Sequence, residues 1–186
     1  MRMILSIILS FAILTGCSKQ STGVSDALEF RQRLSKAEQI TFDAQVTADY
    51  GNRMYAFDVS CVAKSDGCVA FTVLKPETIT GITGSVSASG GKLTFDDTVL
   101  LFEPLTQGQI TPVIGPWLMM KAIFGGYIRA VSDIKDGVEF NIEDTFKAES
   151  FQTTLTVNQE QEPIFCEIVW NNRRILSIQI SNFTVM

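Results

Sequence analysis

Hydrophobic side chains after residue 39 recur mostly at every second position, which is the period of a β-strand with one buried face. The first such segment, residues 40–50, places six apolar or aromatic residues on one face: Ile40, Phe42, Ala44, Val46, Ala48 and Tyr50. Similar segments follow, separated by short turns rich in Gly, Asn, Asp and Pro. We predict about ten or eleven strands, and the short connections predict that consecutive strands are antiparallel neighbours.

Two segments follow a helical period instead. Residues 25–39 predict an amphipathic helix at the start of the domain. Its apolar positions at helical spacing are Ala27, Phe30, Leu34 and Ala37. Residues 113–126, VIGPWLMMKAIFGG, predict a short helix with Pro116 in its first turn and Gly125 and Gly126 at its end. This second helix lacks a clear polar face, so we expect it to be buried or half-buried.

The number of strands constrains the architecture. A sheet this long seldom stays flat, because the twist of successive strands accumulates. The pattern therefore predicts a mainly β, α+β fold whose antiparallel meander curls into a barrel, a half-barrel or a sandwich. About 170 residues follow the N-terminal apolar run, which is enough for one domain with a sizeable core. We place that single domain at residues 25–186.

The N-terminus has the pattern of a secretory signal. Residues 1–16 contain one basic residue, Arg2, and no acid, and their apolar run is too short to span a bilayer comfortably. The run ends in LTGC, residues 14–17, which resembles the lipobox of bacterial lipoproteins. The resemblance implies that the chain is cut before Cys17 and that this cysteine is lipidated. The alternative is an ordinary signal with a chance cysteine.

Lipidation of Cys17 would determine where the protein works. Several acyl chains hold a protein on a membrane for practical purposes, whereas one holds it marginally. We therefore expect Cys17 to be a membrane anchor that incorporates palmitate, and residues 17–24 to be a flexible tether. This places the domain in the bacterial cell envelope, outside the cytoplasm. The sequence leaves open whether the membrane is the inner or the outer one.

Composition excludes several classes of function. Removal of residues 1–16 lowers the formal net charge from −5 to −6, which argues against binding to nucleic acid or to anionic headgroups. The chain contains no histidine, which excludes histidine-dependent hydrolysis and removes the commonest metal ligand. The acidic residues lack the spacing of a calcium loop. We therefore expect no catalytic residue, no metal and no cofactor.

Three cysteines remain after Cys17, an odd number in a compartment where disulfides form. Cys61 and Cys68 flank a turn signal, so we consider a disulfide between them across a hairpin. Cys166 lies in an apolar strand and is most simply a buried small hydrophobic residue.

The order of the elements resembles a known family. A lipobox, an N-terminal amphipathic helix, a long antiparallel meander and one mid-chain apolar helix preceded by prolines together resemble the LolA/LolB/LppX-like lipoprotein-localisation superfamily. The resemblance covers residues 25–186. It implies a half-barrel whose helices lie against the concave face and shield a hydrophobic cavity.

Apolar residues are the candidate binding groups. The mid-chain helix is rich in Met and aromatic residues, and Met adapts to irregular partners. The residues that we consider as hydrophobic-ligand lining are Trp117, Met119, Met120, Ile123 and Phe124, with Tyr55 and Phe57 from the second strand. The alternative is that this helix simply fills the concave face of the sheet.

Two functions follow from these observations. The first is a non-catalytic, membrane-anchored lipoprotein, a monomer, that binds a lipid, a lipoprotein acyl chain or another hydrophobic ligand in a half-barrel cavity. The second is a structural or protein-interaction module with a filled core, which uses strand edges and loops to bind a partner.

Overall fold

The structure, a computed structural model, describes residues 22–103, 105–106, 109–145 and 150–186. The helices are α1 (Thr22–Ser35) and α2 (Gly115–Gly125), and short 3-10 turns span Glu77–Ile79 and Pro112–Ile114. The strands are β1 (Gln39–Asp49), β2 (Met54–Lys64), β3 (Val69–Lys75), β4 (Thr83–Ser87), β5 (Gly90–Phe95), β6 (Thr98–Phe102), β7 (Leu105–Thr106), β8 (Gln109–Ile110), β9 (Tyr127–Ile134), β10 (Gly137–Glu143), β11 (Gln152–Asn158), β12 (Pro163–Trp170) and β13 (Arg173–Val185).

Eleven of these strands form one antiparallel sheet in the order β6-β5-β4-β3-β2-β1-β13-β12-β11-β10-β9. Consecutive strands are neighbours in two meanders, as predicted, and the pairing of β1 with β13 joins the meanders. β6 and β9 form the two edges, so the curled sheet is a half-barrel and not a closed barrel. The mainly β half-barrel with two helices is therefore confirmed. β7 and β8 form a separate two-stranded ribbon.

The period-2 pattern identifies the buried face of the central strands correctly. In β1 the buried residues are Ile40, Phe42, Ala44, Val46 and Ala48. In β2 they are Phe57, Val59, Cys61 and Ala63. β13 departs from strict alternation near its end, because Asn182 adopts a positive φ of 53° and the register with β1 shifts there. Phe183 consequently points inward, with its ring centroid 6.0 Å from that of Phe42.

Helix α1 buries the apolar face predicted for it, including Phe30, whose ring centroid lies 5.5 Å from that of Phe140. The helix begins at Thr22, three residues before Ser25 and inside the segment predicted as tether. Close packing explains the difference: a Cβ on Gly23 would lie 2.8 Å from Cγ1 of Val131, so the glycine allows the first turn to approach β9. Residues 22–24 therefore belong to the domain.

Helix α2 lies against the inner face of the sheet. It begins and ends where the proline and the glycines of the sequence predict. The position where a Cβ would stand on Gly115 is 3.4 Å from side-chain atoms of Val46 and Ile178, in the middle of the sheet. Eight residues of the helix are buried: Gly115, Pro116, Trp117, Leu118, Met119, Met120, Ala122 and Ile123. The helix is therefore part of the core, as its apolar composition predicts.

The hairpin of β2 and β3 corrects the disulfide considered from the sequence. Cys61 lies opposite Phe71, while the amide of Lys64 donates a hydrogen bond of 2.9 Å to the carbonyl oxygen of Cys68. Cys61 and Cys68 are thus offset by about three residues, or ~10 Å along the strand, whereas a disulfide needs Cα atoms within about 7 Å. The turn centres on Asp66, nearer to Cys68 than to Cys61, and Cys61, Cys68 and Cys166 are free thiols.

The predicted anchor, Cys17, and the signal before it lie outside the residues that the structure describes. Within the described part of the chain, neither helix has the length and apolar character needed to cross a membrane.

Candidate functional site

An open groove of about 670 Å³ lies beside the turn that precedes α2, where β1 ends, β2 begins and β3 ends. We call it the tyrosine groove. The sheet contributes Phe57 and Val73 to it, together with Tyr50 and Tyr55 at the ends of β1 and β2. The turns contribute Asn52, Arg53, Ile79, Thr111, Pro112 and Val113. Its volume falls within the range of small-molecule sites, ~300–1,000 Å³.

The base of the tyrosine groove is apolar. Phe57 and Val73 are 7% and 2% exposed, so the groove opens directly onto the core. Tyr55 stands above them at 44% exposure, and its ring meets that of Tyr50 edge-on with centroids 5.9 Å apart. Burial raises the pKa of Tyr50, with a smaller contribution from the neighbouring Tyr55, so its hydroxyl stays protonated at neutral pH.

The turn between β1 and β2 holds these aromatic residues in place. Gly51 has a φ of +85°, and its amide donates a hydrogen bond of 2.6 Å to Oδ1 of Asp49. Nη2 of Arg173, on β13, donates to the same Oδ1 at 2.8 Å. The hydrogen bond from Gly51 and the charge of Arg173 hold the pKa of Asp49 below its usual value. These contacts therefore connect the rim of the groove to β13, the last strand of the chain.

Two 3-10 turns also line the groove. Ile79, which is 38% exposed, follows Pro76 in the first turn, and the hydroxyl of Thr80 fixes this segment by a hydrogen bond of 2.9 Å to the carbonyl oxygen of Leu74. Pro112 and Val113 belong to the second turn and are partly buried. Exposed and buried apolar groups thus line the same groove.

The predicted lining residues divide between this groove and two other places. Tyr55 and Phe57 lie in the tyrosine groove, whereas Met119 and Ile123 are core residues with 0% and 1% exposure. The other three, Trp117, Met120 and Phe124, line a separate pocket of about 310 Å³ near the turn between β2 and β3, which we call the tryptophan pocket. The structure therefore does not bring the seven residues together in one site.

Two polar contacts hold Trp117 in place at the tryptophan pocket. Nε1 of Trp117 donates a hydrogen bond of 3.2 Å to the carbonyl oxygen of Gly67. Nζ of Lys121 lies 5.4 Å from the centroid of the Trp117 ring, which is a cation–π geometry. This pocket has less than half the volume of the tyrosine groove, so the larger groove is the candidate site.

Sequence reasoning missed most of the tyrosine groove. Alternation places Tyr50 on the buried face of β1, and its position next to the Gly51-Asn52 turn is the signal that it stands at the end of the strand. Ile79 and Val113 lie in turns with no periodic pattern, so no local signal associates them with β1 and β2. Arg53 also lies in a turn.

The side chains of the groove suit binding better than chemistry. The described lining offers apolar surface, tyrosine and threonine hydroxyls, one amide and one guanidinium, with no carboxylate or thiol among these residues. Across the described ranges, no three His, Cys, Asp or Glu side chains cluster so as to hold a metal ion. Such a lining excludes water from an apolar ligand and orients its polar end.

Comparisons with known proteins show similarity in fold. No protein-family model matches the chain, and no curated protein sequence matches it. A domain from Vibrio parahaemolyticus, named as an outer membrane lipoprotein-sorting protein, is 8% identical over 89% of this chain and 92% of its own, with a TM-score of 0.50. At that identity the similarity concerns the fold alone.

Two further solved structures resemble the chain more distantly. A LolA superfamily protein from Nitrosomonas europaea is 9% identical over 86% of this chain and 93% of its own, with a TM-score of 0.44. The lipoprotein LppX from Mycobacterium tuberculosis is 7% identical over 88% of this chain and 96% of its own, with a TM-score of 0.43.

Proposed function

We propose that this protein is a non-catalytic lipoprotein of the bacterial cell envelope that binds a lipid or another hydrophobic molecule in the tyrosine groove. The observation that carries the proposal is the lining of the groove: buried Phe57 and Val73 at its base, and half-exposed Tyr55 and Ile79 on its walls. A ligand that covers the apolar surface of a concave site removes this surface from water, which contributes ~25 cal/mol of binding free energy per Å². A lipid-anchored Cys17 would hold the groove close to a source of such ligands.

The fold supports this proposal by leaving space at one end of the half-barrel. Helix α2 fills the middle of the inner face with Met119 and Ile123, whereas the tyrosine groove lies beside the 3-10 turn that precedes the helix. A ligand would therefore occupy the mouth of the half-barrel beside α2 and not the space under the helix.

Binding of a neutral fluorescent probe, N-phenyl-1-naphthylamine, tests the proposal. The protein is the mature chain with Cys17→Ser, so that its own acyl chains do not compete. Tyr55→Ala and Ile79→Ala should each weaken probe affinity by about five- to tenfold, because each removes apolar contact area inside the groove. Phe95→Ala, at 52% exposure and outside the groove, is the matched control and should leave affinity unchanged.

Two results would overturn the proposal. One is the absence of saturable probe binding together with the absence of co-purifying lipid in native mass spectrometry. The other is an equal loss of affinity in Phe95→Ala, which would place the probe on the exposed apolar surface of the hairpin instead of in the groove.

A second candidate function, a protein-interaction module, is favoured by the edge strand β6. Val99, Leu100 and Leu101 are 51%, 60% and 75% exposed, and among the described strands of the sheet β6 pairs with β5 alone. A free edge with exposed apolar side chains suits antiparallel addition of an extended apolar peptide from a partner protein. A photo-crosslinker at Val99 should then yield a defined adduct in cells that Leu101→Lys abolishes; an adduct unchanged by Leu101→Lys would exclude this mode.

A further inference from the structure

Arg53 is the only charged residue among the ten that line the tyrosine groove. It occupies the turn between β1 and β2, is exposed at the rim, and is followed two residues later by Tyr55. Among the described residues that line the groove there is no Asp or Glu, although acidic residues outnumber basic ones in the chain by 20 to 15. The groove therefore combines an apolar base with one positive charge at its mouth.

The guanidinium of Arg53 has no hydrogen-bond or ion-pair partner among the residues that the structure describes. The carboxylate nearest to it along the chain, Asp49, is already occupied by the Gly51 amide and by Nη2 of Arg173. Most other arginines of the domain are engaged: Arg173 and Arg174 form ion pairs, and Arg31 donates to the end of α2. Arg53 is instead positioned to meet something that enters the groove.

We infer that the ligand of the tyrosine groove is an apolar chain that ends in a single carboxylate, with the chain against Phe57 and Val73 and the carboxylate on the Arg53 guanidinium. This inference rests on the proposed function and specifies its ligand class. Arginine presents a planar fork of donors that matches a carboxylate, and such charge-assisted hydrogen bonds are stronger than neutral ones. The amide of Asn52, in the same turn, offers additional donors at the rim.

Charge favours a carboxylate over a phosphate monoester. A carboxylate carries one negative charge, which one guanidinium balances, whereas a phosphate monoester carries about −1.5 to −2 at neutral pH. The remaining charge of a phosphate would face a protein whose own net charge is negative. A neutral head would leave the guanidinium without a partner.

Competition binding with three matched single-chain ligands tests the inference. Hexadecanoate, hexadecanol and hexadecyl phosphate share the same chain and differ only in the head. Each displaces N-phenyl-1-naphthylamine from the mature chain with Cys17→Ser at neutral pH. We expect hexadecanoate to bind about tenfold more tightly than hexadecanol, and its advantage to shrink with added salt.

Two variants test whether Arg53 is the source of the preference for hexadecanoate over hexadecanol. Arg53→Gln should remove the preference for hexadecanoate and leave the affinity for hexadecanol unchanged, because it alters the head contact and not the apolar base. Lys92→Gln removes a positive charge that is also exposed, from β5 and outside the groove, and should retain the preference.

The outcomes separate this inference from the proposed function. Equal binding of all three ligands, a preference for the phosphate, or a carboxylate preference that survives Arg53→Gln would overturn the inference while leaving a hydrophobic site in place. Failure of every ligand and of the probe itself to bind would overturn the proposed function.

Discussion

Nη2 of Arg31, in α1, donates a hydrogen bond of 2.9 Å to the carbonyl oxygen of Gly126, the C-cap residue directly after α2. The same nitrogen lies 3.5 Å from the carbonyl oxygen of Ala122, one turn earlier. The last carbonyls of a helix have no partner within the helix and carry partial negative charge. A side chain of one helix thus caps the other across 95 residues of sequence.

Arg31→Met should lower the free energy of unfolding by about 1–3 kcal/mol, because it removes a charged donor from the end of α2 but keeps most of the apolar stem. Urea denaturation measures the change. Arg129→Met is the control: its side chain is 55% exposed and forms an ion pair of 3.4 Å with Glu143, so we expect a loss of less than about 1 kcal/mol. Equal effects in the two variants would contradict the capping role.

Truncation along α2 should distinguish core positions from pocket positions. Met119→Ala should cost about 2–5 kcal/mol, because Met119 is 0% exposed and truncation leaves a cavity. Phe124→Ala should cost less, because Phe124 is only partly buried and already borders the open tryptophan pocket. Urea denaturation midpoints at constant m-value give the loss in free energy of unfolding for each variant. A larger loss for Phe124→Ala would show that α2 is packed differently.

The three thiols of the domain should differ in reactivity. Burial raises the pKa of both Cys61 and Cys166 far above the usual range, with smaller contributions from Asp43 and Glu167 respectively, so neither forms a reactive thiolate. Cys68 is partly exposed. Iodoacetamide should therefore label Cys68 alone in the native protein, and all three in denaturant. A Cys61–Cys68 disulfide in mass spectra of the oxidised, non-reduced protein would contradict the hairpin register.

The carboxylate of Asp49 should contribute to stability only above its folded pKa. The hydrogen bond from Gly51 and the charge of Arg173 lower this pKa, so the contribution is present above the ordinary carboxyl value, ~4, and is lost as the pH falls through the folded value. Asp49→Asn should therefore flatten the fall of Tm below about pH 4. Asp136→Asn, in an exposed turn, makes the same charge change, and an equal flattening there would exclude a specific role for Asp49.

Cys17→Ala should release the protein from membranes or leave an uncut precursor, and metabolic labelling with palmitate should disappear. The physical reason is that acyl chains provide the only membrane attachment that we predict for the chain. Membrane fractionation and labelling measure both effects. Ser18→Ala is the neighbouring control and should remain anchored. Palmitate labelling that persists in Cys17→Ala would place the lipid on another residue.

Local pattern in the sequence determined the elements of this fold. Alternation identified the buried face of β1 from Ile40 to Ala48, since side chains of a strand point to opposite sides whatever the strand pairs with. Proline and glycine set the bounds of α2, because the first fits only an early helical position and the second ends the helix. The motif at residues 14–17 is likewise a local signal, and it determined the prediction of an anchor at Cys17.

Only the tertiary structure decided where the candidate site lies. β1 pairs with β13, so that Arg173 reaches Asp49 across 124 residues and occupies this carboxylate, the one nearest to Arg53 along the chain. Ile79 and Val113 come to the same groove from turns in separate parts of the chain. The hydrophobic periodicity of a strand indicates which of its sides is buried. The register and the curl of the whole sheet determine which distant segments come into contact.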